Sequence, residues 1–123
     1  MAKKGESKFS ADLSAQMRLY GACIYPMIAS KYSPVGWPDK LVVSKQYFGL
    51  LEIKDCDTKL EIAQVQVIKN IRKMHPNRCY IVRQASATAN NNSGGWILDE
   101  NGTVLAWFNG TGRDLLLKLE GLK

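Results

Sequence analysis

The hydrophobic positions of the chain change their spacing several times, and each change marks a different kind of element. From Ser10, a residue suited to cap a helix, Leu13, Met17, Tyr20 and Ile24 recur every three to four positions. This spacing predicts a first helix that ends near Pro26. The segment SKYSPVGWPDK carries two prolines and a glycine and reads as an extended lead-in ending at Asp39. Residues 41–43 and 48–53 are β-rich runs split by the polar Ser44, Lys45 and Gln46, which predicts an antiparallel hairpin. Helical spacing returns at Leu60, Ala63, Val67, Ile71 and Met74, with Lys69, Arg72 and Lys73 late in the segment and Pro76 as the stop. Residues 79–82 form a third strand, and the strand–helix–strand order favours parallel pairing through a right-handed crossover. The small, polar run ASATANNNSGG reads as a mobile loop. Beyond it, WILDENGTVLAWF sets Asn101-Gly102 between β-rich arms, a strong hairpin signal, and residues 114–119 make a brief apolar helix. This second hairpin could extend the sheet, cover an edge or build a dimer contact, and the pattern leaves all three open.

The expected architecture is therefore α/β, a mixed central sheet flanked by helices, with a C-terminal β-hairpin and short helix. At 123 residues and 46% hydrophobic side chains, the chain has the size of one domain and can bury a core without staples. Residues 1–9 read as a flexible basic tail. Residues 10–123 read as a single domain, with a core of about 10–84 and an extension of about 94–123.

Charge adds a preference for partners. The 17 basic side chains outnumber the 11 acidic ones for a net charge of +6, which favours polyanions without naming one. Cys23, Cys56 and Cys79 are odd in number and include no C-x-x-C pair, so neither a disulfide framework nor a zinc ribbon is indicated. His75 is the sole histidine, which excludes His-rich metal sites. No window has the length of apolar residues a membrane span needs, and no apolar signal core follows the first lysines. A cytoplasmic home with no membrane partner is expected. The N-x-S/T matches at Asn91, Asn101 and Asn109 read as turn chemistry.

Charged residues inside the central strands are the pattern's one discord. Glu52 and Lys54 are two positions apart, so on a strand they project from one face while Ile53 points to the other. Burying such a pair costs several kcal/mol per ion unless something compensates. Counting outward from a turn at Lys45 and Gln46 brings Asp39 opposite Glu52 or Ile53, gathering two carboxylates and an ammonium at one end of the hairpin. Hard carboxylate oxygens suit Mg²⁺ or Mn²⁺, and with such a cation the cluster becomes suited to phosphodiester hydrolysis.

These residues resemble a family. Pro38-Asp39, the Glu52-Ile53-Lys54 triplet, Gln64 ten residues later, the GWPDKLVV context and YIVR at 80–83 are similar to the PD-(D/E)XK nuclease superfamily, specifically its VRR-NUC group. The resemblance spans about 36–83 and implies a restriction-endonuclease-like core. It implies that Asp39 and Glu52 ligate the metal, that the Ile53 carbonyl adds a ligand, and that Lys54 serves the attacking water with Gln64 in support. Arg83 becomes a phosphate or structural contact. Lys40, Lys59 and Trp37 join it as candidate nucleic-acid contacts.

One departure stands out. Members of the group usually carry a glutamate on the first helix that completes the metal site, whereas here the acid available is Asp12, 27 residues before Asp39. Small stand-alone members resemble phage proteins that act as homodimers and cut branched DNA such as four-way junctions. The expectation is thus a Mg²⁺- or Mn²⁺-dependent, structure-selective DNA endonuclease, homodimeric and phage-encoded in a bacterial host. The alternatives are a non-catalytic nucleic-acid-binding protein that keeps the fold, or a basic partner-binding structural protein in which Glu52 and Lys54 form only a salt bridge.

Overall fold

A computed structural model describes residues 7–27, 36–56, 58–85 and 94–122. The Ser7 hydroxyl accepts the Ser10 N–H at 3.1 Å and caps α1, Lys8–Leu19. The helix thus begins earlier than its expected Ser10 start, because Phe9 belongs to the buried stripe with Leu13 and Met17. It also ends earlier. Gly21, at φ 93, donates to Arg18 O while Ala22 donates to Met17 O, a glycine-terminated pair of bonds that closes the last turn. The chain then forms strand β1, Cys23–Pro26, where the spacing had continued the helix. Ile24 fits both periods: it is buried as the inward residue between exposed Cys23 and Tyr25.

The first hairpin is present as β2, Lys40–Val43, and β3, Phe48–Lys54, paired antiparallel from Val43↔Phe48 to Lys40↔Leu51. The Ser44 hydroxyl accepts from Tyr47 N–H at 2.9 Å and stabilises the turn. Helix α2, Ile62–Met74, crosses to β4, Cys79–Gln84, which runs parallel to β3 with Lys54↔Arg83. Of the expected apolar face of α2, Ile71 packs inward and Leu60 packs just ahead of the helix, but Met74 is exposed and the fully buried residue is Ile68. The stripe is rotated because α2 lies over β4 and covers only part of the sheet.

The second hairpin, β5 (Gly95–Leu98) and β6 (Val104–Phe108), extends the sheet, since β5 pairs antiparallel with β4. The Asp99 carboxylate accepts the N–H groups of Asn101 and Thr103 in its turn. Helix α3, Gly112–Gly121, follows, capped by the Thr111 hydroxyl. Six strands stand side by side in sequence order, every pair antiparallel except β3 and β4. The expected loop at 85–95 lies largely outside the described residues, as do residues 1–6 and the segment 28–35.

Strand alternation divides the side chains between two layers. On one face, α1 and α3 pack together over Val42, Leu51, Ile53, Val82, Ile97 and Phe108. On the other, α2 covers a smaller cluster of Ile68, Cys79, Ile81 and Leu98. Glu52 and Lys54 alternate onto this second face. Among the described residues no helix is long and apolar enough to cross a membrane.

Candidate active site

The sequence GWPD positions the first carboxylate. Gly36 adopts φ 95, and a Cβ there would stand 2.5 Å from the Ala63 carbonyl oxygen. Only glycine lets this segment lie against the first turn of α2. Pro38 and Lys40 then lead into β2, and Asp39 Oδ1 accepts the Ile53 N–H at 3.1 Å. The hairpin register thus brings Asp39 across from the Glu52–Ile53 step, as counting from the turn predicts.

Glu52 is 2% exposed. Its Oε2 lies 3.4 Å from Lys54 Nζ and accepts the Gln64 amide at 3.1 Å. Gln64 is itself fixed, because its Oε1 accepts the Glu61 N–H at 2.9 Å in the first turn of α2. Glu52 Oε1 is buried with no hydrogen-bond partner. Burial pushes Glu52 up to about 7, helped by the neighbouring Asp39 carboxylate and opposed by Lys54. Burial likewise pushes Asp39 up to about 6, against the lowering effect of the Ile53 N–H and Lys40. Two carboxylates that share a site and resist ionisation are held where a cation would repay their cost.

Asp39, Glu52, Ile53, Lys54 and Gln64 line one cleft of about 500 Å³, together with Ser7, Asp55 and Thr58. The donor set fits a hard divalent ion: two carboxylates in the wall of one cleft, one of them with a buried oxygen lacking a partner, beside space for solvent or a phosphate. Mg²⁺ is commonly held by one or two carboxylates plus substrate oxygens, so two suffice. Asp39, Glu52 and the Ile53 carbonyl are the groups that would hold it. Among the described residues no cluster of three His, Cys, Asp or Glu side chains gathers around them.

The remaining candidates fall elsewhere. Asp12 does not reach the cleft: it lies a turn into α1, where its Oδ2 takes the Lys8 ammonium at 2.7 Å in an exposed pair. The helix instead contributes Ser7, its cap, which lines the cleft. Lys40 is buried in β2, on the sheet face opposite Asp39, so its charge bears on Asp39 rather than on solvent. Lys59 is exposed just ahead of α2, and Trp37 is half-buried beside Gly36. Arg83 serves the backbone, its Nη1 donating to Asp55 O at 3.1 Å and Thr58 O at 2.6 Å. That clamp shapes the cleft wall.

No protein-family model matches the chain, and no curated protein is similar to it at the level of sequence. Solved structures do match it. The structure of Hjc from Archaeoglobus fulgidus, a Holliday junction resolvase from an archaeal hyperthermophile, aligns with a TM-score of 0.54 at 14% identity, over 78% of each chain. At that identity the likeness speaks for the fold. The chain has a restriction-endonuclease-like α/β fold, a mixed six-stranded sheet with three helices among the described residues.

Proposed function

We propose that this protein is a divalent-metal-dependent deoxyribonuclease that hydrolyses phosphodiester bonds in branched DNA. The observation that carries the reading is Glu52: a carboxylate buried at the end of a central strand, held on one oxygen by Lys54 and Gln64 and without a partner on the other, beside Asp39. A structural ion pair has no need of the second acid, the orienting amide or the open cleft.

The chemistry follows from the placement. Asp39 is fixed by the Ile53 N–H, and Glu52 by Gln64, so neither moves to meet its ligand. A bound Mg²⁺ or Mn²⁺ supplies Lewis-acid polarisation of the phosphoryl oxygen. Lys54, at the cleft wall, orients the attacking water and offsets the charge that develops on the phosphate. Unassisted hydrolysis is slow enough that the barrier must fall by well over ~15 kcal/mol, which calls for all these groups together. The fold shared with a Holliday junction resolvase supports a junction as substrate. Two copies about a two-fold axis would offer two such sites to symmetric strands.

The test is cleavage of labelled four-way junction, flap, linear duplex and single-stranded DNA, with Mg²⁺, Mn²⁺ or EDTA, by the unaltered protein and by Lys54→Ala. The expected result is metal-dependent cutting that prefers the junction and falls by at least ~10²-fold in a variant that melts normally. Tight binding without cutting under any metal would make the protein a DNA-binding module. A Lys54→Ala variant that cuts normally but has lost stability would reduce the Glu52–Lys54 pair to a structural salt bridge.

A further inference from the structure

The strand registers place a row of side chains straight across the sheet. Lys54 on β3 pairs with Arg83 on β4, Arg83 with Trp96 on β5, and Trp96 with Trp107 on β6. Paired residues lie on the same face, so this row runs from the cleft of the proposed nuclease to the far edge of the sheet. With strands roughly 4.8 Å apart, Trp96 stands ~10 Å from Lys54 along the row and Trp107 ~14 Å.

The two indoles form a built surface. Their centroids are 4.5 Å apart at 64°, edge against face. Trp107 folds over Gly94, where a Cβ would meet its ring at 2.5 Å, so the pair is seated against backbone that a larger residue would displace. Yet Trp96 is 37% and Trp107 41% exposed. Trp96 also lines a second cleft of about 480 Å³, with Leu60, Val65, Ile81 and Leu98 as apolar floor and Arg83, Glu100 and Asn101 as polar members. Arg83 joins this cleft to the first, because it lines one and clamps the Asp55 and Thr58 carbonyls that border the other. Arg72 holds Glu100 at 2.7 Å and thereby fixes the hairpin to α2, the helix that carries Gln64.

We propose that Trp96, backed by Trp107, is a stacking site for an unpaired nucleobase of the DNA strand being cut. It would give the enzyme a preference for substrates with unpaired nucleotides beside the scissile phosphate. The site rests on the nuclease reading of the neighbouring cleft. Its occupant is set by what surrounds it: an aromatic face and apolar floor suit a base, Arg83 supplies positive charge along the path of the backbone, and the row leads directly to Lys54. A second copy of the chain is the rival occupant, because Leu105, 37% exposed two residues before Trp107 on β6, continues the apolar surface past the indoles.

The experiment is fluorescence anisotropy with fully paired duplex and with the same duplex carrying a short unpaired stretch. Unaltered protein is measured in EDTA, and the comparison is repeated with Mg²⁺ in the Lys54→Ala background to prevent cutting. Trp96→Ala and Trp96→Phe are compared with the parent, and each is sized by gel filtration. The expected result is a loss of roughly 10-fold in affinity for the DNA with unpaired bases in Trp96→Ala, little change for paired duplex, and recovery of most of the difference in Trp96→Phe. Should the alanine variant fail to fold, Trp96→Phe and Trp107→Phe are compared in the same ratio, and an unaltered preference in both overturns the proposal. An equal loss on both DNAs, or no loss on either, overturns it as well. So does a shift from dimer to monomer without a change in the ratio, which would make the indoles a contact between copies. Failure of the unaltered protein to bind any DNA would remove the nuclease reading itself, whereas normal binding and cutting with an unchanged ratio would remove only the stacking site.

Discussion

The two faces of the sheet are built on opposite principles. Under α1 and α3 the residues are mostly apolar and closely packed: Leu13, Met17, Leu115, Leu116 and Leu119 are each at most 1% exposed, with Ser10, Ser14 and Lys40 as the polar exceptions. Under α2 the sheet is half covered, and the strands place Glu52, Lys54 and Arg83 where the other face places Leu51, Ile53 and Val82. One face repays the entropy of folding, and the other spends part of that gain to hold charges out of water. Stability and chemistry are therefore carried by alternate residues of the same strands. A substitution moves from one role to the other with a shift of one position.

The largest effect that would break this contrast belongs to the packed face. Leu115→Ala should cost about 3 kcal/mol, read from urea melts, while leaving the catalytic rate of the folded fraction unchanged. A variant that unfolds little but cuts poorly would show that α3 reaches the site.

A smaller effect comes from the acids of the other face. Asp39 and Glu52 have folded values raised to about 6 and about 7, above the ordinary carboxylate range that applies in the unfolded chain. Their protonated forms favour the folded state, so this contribution is complete below about pH 4 and is lost as pH climbs through 6 and 7. Metal-free protein should therefore lose stability between pH 4 and 8 relative to the Asp39→Asn/Glu52→Gln double variant. Melts in EDTA across that range check it, and parallel profiles for the two proteins would mean that the pair is not strained. The double variant should also lose the stabilisation that Mg²⁺ confers on the parent.

The smallest effect sharpens the boundary of the site. Asp12→Ala removes only an exposed pair with Lys8 and should change stability by no more than ~0.5 kcal/mol, with metal affinity, followed by titration calorimetry, unaltered. A marked loss of affinity would return Asp12 to the ligand set.

What the sequence disclosed follows from how local each signal was. The hairpin, the crossover helix and the Asn-Gly turn rest on residues close in sequence, and each stands where the pattern places it. The cluster of Asp39, Glu52, Lys54 and Gln64 was legible for the same reason, since one turn and one helix start bring it together. Strand β1 was hidden because Ile24 satisfies a helical and a strand period at once, and Gly21 alone marked the break. The Arg83 clamp and the Trp96–Trp107 row were beyond reach because they depend on the register of three strand pairs, each fixed by packing across the whole sheet. Asp12 pairs with Lys8 and does not line the cleft, because its distance from Asp39 in sequence says nothing of the helix face it occupies.

The order of the strands has a further consequence. Each lies beside its neighbour in sequence, so every strand pair is closed by the one segment between its members, the longest being the crossover through α2. The clasp between the chain's two ends is different: the Gly112 N–H donates to Gln16 Oε1 at 2.7 Å across a separation of 96 residues. Such a contact closes late, after the strands between its partners have zipped. The hairpin bearing Asp39 and Glu52 lies inside that span, so the chemistry is assembled before the last wall is shut.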